Sequence, residues 1–147
     1  MKTGKAGEVA AELQADCLGV RVSRLQRLVL RHYAEALRPH DMTLSQMEIL
    51  AALILHGDPV KPTALADFLA VERSTMSRNL ALMTTLGWVQ AAASSPSRRA
   101  MTVTLTPAGK DALLLARKAW AGAQATVAEA LGADASAILD GWIERLH

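Results

Sequence analysis

The chain has 147 residues, enough for one domain with a substantial core. Half of it is hydrophobic (51%) while aromatics reach only 3%, and the abundance of Leu and Ala leans toward an all-helical fold. The formal net charge of +2 names no partner, and the single cysteine, Cys17, excludes an internal disulfide framework or a Cys-rich zinc site and suits a reducing cytosol.

Residues 1–16 lack the apolar run of a secretory signal. The charge-free stretch from Asn79 to Ser97 holds too many polar residues, Gly87 and Pro96 among them, for a membrane helix. A soluble, cytoplasmic protein with no membrane association is expected. Leu18, Val22, Leu25, Val29 and Tyr33 recur at steps of four and three, which predicts one long helix from roughly residue 9 to Leu37, stopped by Pro39. Thr43-Leu44-Ser45-Gln46 reads as a capping box opening a second helix through Met47, Leu50, Ala51 and Ile54, ended by Gly57.

Asp58 to Lys61 is a short connector, and Pro62 suits the first position of a third helix, Thr63 to Leu69. After a tight break at Ala70-Val71-Glu72, a fourth helix runs from about Arg73 to Leu86, with Gly87 as its cap. Trp88–Ala91 and Met101–Leu105 are short β-leaning segments around the loop Ser94-Ser95-Pro96-Ser97-Arg98-Arg99, which makes a hairpin. Thr106-Pro107 opens a long helix through Leu113, Leu114, Trp120 and Val127, broken by Gly132. A last helix carries Ile138, Leu139, Trp142, Ile143 and Leu146 on one side.

Two short helices across a three-residue turn, followed by a hairpin, give the order of a winged helix-turn-helix. The fold class expected is therefore mainly α, with about six helices and a β-hairpin wing. From Arg73 to Lys110 the chain carries Arg73, Arg78, Arg98, Arg99 and Lys110 and no acid at all. Cations gathered on the second short helix and the hairpin tip suit phosphate contacts, because each neutralised phosphate releases counterions. The helix face Arg73, Ser74, Thr75, Ser77, Arg78 offers donors for base edges and phosphates, while Met76, Leu80 and Met83 should pack on Leu65 and Phe68. Thr63 and Asn79 complete the contact set expected at double-stranded DNA.

Four stretches resemble the multiple-antibiotic-resistance regulator (MarR) family in order and spacing: Leu44-Ser45-Gln46; Val71-Glu72-Arg73-Ser74-Thr75-Met76-Ser77-Arg78; Leu86-Gly87-Trp88-Val89; and Arg98-Arg99 running into Val103-Thr104-Leu105-Thr106-Pro107-Ala108-Gly109. The resemblance spans about Cys17 to Leu146. It implies a homodimer on a pseudo-palindromic operator, usually a repressor, released by a small molecule or an oxidant. It also implies groove contacts from Arg73, Ser74, Thr75, Ser77 and Arg78 and a minor-groove wing arginine at Arg99. Two positions depart from the family pattern: Ser97 replaces the acid that usually braces the wing arginine, and Glu72 replaces the usual capping Asp.

Residues 43–106 are thus expected to form the DNA-binding region, and 9–40 with 107–147 a helical dimerisation region. Leu13, Ile138, Leu139, Trp142, Ile143 and Leu146 are the candidate dimer contacts, although periodicity alone fits an ordinary core equally well. Two-fold symmetry would set the recognition helices roughly 34 Å apart. Candidate effector-pocket residues are Cys17, Arg21, Met47, Leu50, Ile54 and Trp120, for an aromatic or amphipathic compound whose carboxylate an Arg would pair. Oxidation of Cys17 beside Arg21 or Arg24 is the other release route. No cofactor or metal is expected, since His32, His40 with Asp41, and His56 are scattered. Nothing resembles a nucleophile, base and orienter set, so no enzyme is expected. The competing function is a winged-helix protein-interaction module that never touches DNA.

Overall fold

The computed structural model describes residues 4–57, 59–93 and 101–147. In chain order these form α1 (Lys5–Asp16), α2 (Leu18–Leu37), a 3-10 turn (Arg38–His40), α3 (Leu44–His56), α4 (Pro62–Phe68) and α5 (Arg73–Thr85). Strands β1 (Val89–Ala93) and β2 (Met101–Leu105) follow, then α6 (Pro107–Leu131) and α7 (Ala135–Leu146). None of the helices among the described residues is long and apolar enough to cross a membrane.

α3 is the centre of the molecule. Its apolar residues surround the axis instead of forming one stripe, so it is covered on several sides: Met47, Ile49, Leu50, Ala52 and Leu53 are all buried. The capping box anticipated at Thr43 and Gln46 forms in both directions, at 3.2 Å from the Gln46 N–H to Thr43 Oγ1 and 3.0 Å from the Thr43 N–H to Gln46 Oε1. Gly57, at φ 71°, ends the helix in a conformation that a Cβ would penalise. α2 and α6 pack side by side along one flank of α3. α6 contributes mainly small buried residues, Ala116 and Ala123 with Val127, which lets the α2 backbone come close. The buried Tyr33 hydroxyl donates to Gln124 Oε1 across that seam, and burial raises the Tyr33 pKa above the ordinary phenol value.

Two expectations need correction. The single helix from residue 9 to Leu37 is two helices, because Cys17 takes an extended conformation (φ −71°, ψ 112°) and serves as the C-cap of α1 and the N-cap of α2. Gly19, two residues on, is a poor helix former that weakens continuity at this point. Helical structure begins at Lys5, and the seven α-helices of the described residues with their two-stranded wing agree with the mainly α fold expected. Phe68 is not under the recognition helix: it is 55% exposed and makes an edge-on ring contact with His56 at 4.2 Å, leaving fully buried Leu65 as the inward residue of α4. The connector before α4 is short, as expected, and Val60 within it pairs with Val103 of β2 through two backbone hydrogen bonds of 3.0 and 2.8 Å.

Candidate nucleic-acid interface

α4 and α5 meet through a turn whose conformation is set by Ala70, at φ 51°. The Val71 N–H donates to the Ala66 carbonyl at 2.9 Å, closing the end of α4 before α5 begins. Glu72 occupies the N-cap of α5 and makes no side-chain capping bond, as its length suggested. Met76, Leu80 and Met83, at steps of four and three, are buried and fix the rotation of α5 about its axis. That rotation turns Arg73, Ser74, Ser77 and Arg78 to solvent.

The remaining residues expected on this face behave differently. Thr75 is half-buried, and its hydroxyl accepts from Arg78 Nη2 at 3.4 Å. Asn79 is half-buried too, and its amide donates to the Thr75 carbonyl at 3.2 Å, so it is engaged by its own helix instead of being displayed. Thr63 is exposed in the first turn of α4 and shares a cleft of about 270 Å³ with Arg73, Ser77, Thr84 and Met101, between α4, α5 and the wing. Neither Arg73 nor Arg78 has an acidic partner among the described residues. Arg98 and Arg99 lie outside the described residues.

The wing is an antiparallel ribbon with Val89 opposite Leu105 and Ala93 opposite Met101. Its base is held by a corner in which the Thr106 cap was expected from the sequence and the tie to Gly87 and Trp88 was not. Thr106 Oγ1 donates to the Gly87 carbonyl at 2.6 Å and accepts from the Gly109 N–H at 3.0 Å, while the Thr106 N–H donates to the Trp88 carbonyl at 3.1 Å. Gly109 is buried against Trp88, where a Cβ would fall 2.2 Å from the carbonyl oxygen. One threonine thus ties the end of the α5 turn, the start of β1 and the start of α6 together. The Thr-Pro-x-Gly spelling, with a glycine inside a helix start, was the available signal.

The six residues expected to line an effector pocket do not come together. Met47 and Trp120 do, in a cavity of about 520 Å³ between α3 and α6 that also takes Leu44, Glu48, Leu113 and Arg117. Leu50 instead turns into the core with no exposed surface, Ile54 is 48% exposed near the end of α3, and Cys17 and Arg21 do not line the cavity. The reason is geometric. The side of α3 facing α6 follows Leu44, Met47, Glu48 and Ala51, and the buried part of α2 is its C-terminal half, far along the helix from Cys17. Partial desolvation at the cavity raises the Glu48 pKa above the ordinary glutamate value. The Arg21 guanidinium is directed at the Ala15 carbonyl across the α1–α2 break.

The candidate dimer residues Leu13, Ile138, Leu139, Trp142, Ile143 and Leu146 are all exposed, and neither α1 nor α7 buries a single side chain in the isolated chain.

Two short helices across a tight turn, with a β-ribbon braced beside the second, define a winged helix-turn-helix. A family model described as MarR family matches residues 40–100. Among solved structures, the transcriptional regulator MosR of M. tuberculosis is 31% identical, with 89% of this chain and 98% of that chain covered and a TM-score of 0.73. MosR in complex with DNA gives 31% identity, coverage of 90% and 99%, and a TM-score of 0.72. A mutant MarR of E. coli complexed with operator DNA matches at 21% identity, 92% and 96% coverage and a TM-score of 0.77, a likeness of fold alone. No curated protein matches the chain. The chain belongs to the MarR family of transcription regulators, which are not enzymes.

Proposed function

We propose that this protein is a homodimeric operator-binding repressor that reads duplex DNA with α5 and is released by a small apolar acid. The observation that carries the reading is the orientation of α5. Three buried residues lock it so that Arg73, Ser74, Ser77 and Arg78 face solvent, with no acid paired to the arginines among the described residues. Short hydroxyl side chains let a helix approach the major groove closely, while the guanidinium groups suit phosphates and guanine edges. The strands that flank Arg98 and Arg99 in the sequence are braced at Thr106 and Gly109, and this reading assigns those two arginines to the flanking minor groove. That MosR is described in complex with DNA supports the same partner here.

In this reading residues 43–106 form the DNA-binding region, and 9–40 with 107–147 form the dimer. Exposed Leu13, Ile138, Leu139, Trp142, Ile143 and Leu146 favour a second copy over solvent. The cavity between α3 and α6 supports ligand release: it is largely apolar, with Arg117 available to pair a carboxylate. It lies between a dimerisation helix and the central helix of the DNA-binding region, so filling it would shift one against the other. Cys17 is half-exposed at a helix break, which keeps its oxidation as the alternative route.

A gel shift with the duplex upstream of the protein's own gene tests the reading. Two chains per duplex, tight binding to that DNA and weak binding to a scrambled duplex are expected. Equal weak binding to both would favour a protein-interaction module. Adding aromatic acids, or peroxide with and without Cys17→Ser, assigns the release route.

A further inference from the structure

α1 and α2 carry opposite charges on faces that nothing in the isolated chain covers. α1 presents Glu8, Glu12 and Asp16 at successive turns, about 12 Å end to end, with Lys5 as its only cation. Beside that acidic edge run the apolar side chains Val9 and Leu13, 58% and 47% exposed. α2 packs on α6 through the side that bears Val29, Tyr33 and Leu37. Arg24, Arg27 and Arg31 fall on the opposite side, a stripe of about 10 Å, flanked by Leu28 at 46% exposure. No acid occurs between Cys17 and Ala34. All six charged residues are exposed, and none makes an ion pair or side-chain hydrogen bond among the described residues.

The two faces cannot meet within one chain. Antiparallel helices need a connection of about two to five residues, whereas α1 and α2 are separated by Cys17 alone. We propose that α1 of each copy docks on the outer face of α2 of a second copy, its acids against Arg24, Arg27 and Arg31 and its Val9–Leu13 edge against Leu28. The dimer is then a reciprocal exchange of N-terminal arms, and this segment selects the partner chain. The proposal rests on the homodimer reading and assigns the arm a place within it. Exposed ion pairs contribute little singly, but two-fold symmetry places six pairs and two apolar edges in one assembly.

Charge reversal on the full chain tests it through subunit exchange and dimer dissociation measured by fluorescence. The arm variant Glu8→Lys/Glu12→Lys/Asp16→Lys and the stripe variant Arg24→Glu/Arg27→Glu/Arg31→Glu should each dissociate at roughly tenfold lower dilution than the parent. Mixed together, they should recover parental affinity as heterodimers, because every arm then faces a complementary stripe. All the substituted side chains are exposed, and circular dichroism checks that each variant is folded. Parental affinity in both variants, or weakening that mixing does not restore, overturns the proposal. So does loss of affinity that follows Asp140→Lys/Glu144→Lys on α7 and not the arm. A parent chain that stays monomeric at all concentrations would instead remove the homodimer reading itself.

Discussion

A methyl group at position 109 would fall 2.2 Å from the Trp88 carbonyl oxygen and 2.8 Å from Leu105 Cδ1. Backbone cannot retreat the way a flexible side chain can, so Gly109→Ala should lose about 2 kcal/mol in chemical denaturation despite the better helix propensity of alanine. Loosening this corner should also lower DNA affinity, because it anchors the wing. At Glu48 the effect depends on pH. The folded-state pKa is raised, so the folded protein holds the proton more tightly than the unfolded chain does. Stability therefore falls as pH rises from the ordinary glutamate value, about 4.3, through the raised folded value. Glu48→Gln should remove that decline, visible as a flatter melting temperature across the window.

Among the elements, α4 and α5 show best how the turn chemistry limits the motif. Ala70 adopts φ 51°, a conformation glycine takes at no steric cost. Ala70→Gly should therefore stabilise the protein by about 0.5 kcal/mol in denaturant titration, the relieved strain outweighing the added freedom of the unfolded chain. Met83→Ala on α5 should do the reverse, losing about 2–5 kcal/mol through the cavity it leaves. These elements were legible in the sequence because their signals are local. Thr43 with Gln46, Pro62, Gly87, Thr106-Pro107 and Gly132 mark boundaries through backbone chemistry, and the structure places an end at or within a residue or two of each. The break at Cys17 was not legible, since no proline marks it and the apolar stripe that predicted the helix begins only at Leu18, beyond the break. Phe68 was misplaced for the opposite reason: an aromatic in a helical repeat reads as core, while its ring contact with His56 depends on how α3 ends.

At the scale of the whole molecule, sequence pattern recovered the order of the elements but not which residues share a cavity. Met47 and Trp120 meet because α3 and α6 cross there, a fact that no spacing along the chain encodes. The near-neutral total charge likewise conceals a segregated distribution: an acidic α1, an arginine-rich α2 and an acid-free segment from Arg73 to Lys110. Segregation of this kind makes association dependent on salt, and DNA binding should feel it most. The most direct test is the affinity of the protein for its own upstream duplex across a salt series, with Arg78→Ala beside the parent. The expected result is a steep linear fall of log affinity with log salt, roughly 10³-fold between 50 and 200 mM if six phosphates are contacted, with a shallower slope and weaker binding in Arg78→Ala. A parent chain whose DNA affinity is weak, insensitive to salt and unchanged by Arg78→Ala would contradict α5 as the reading helix.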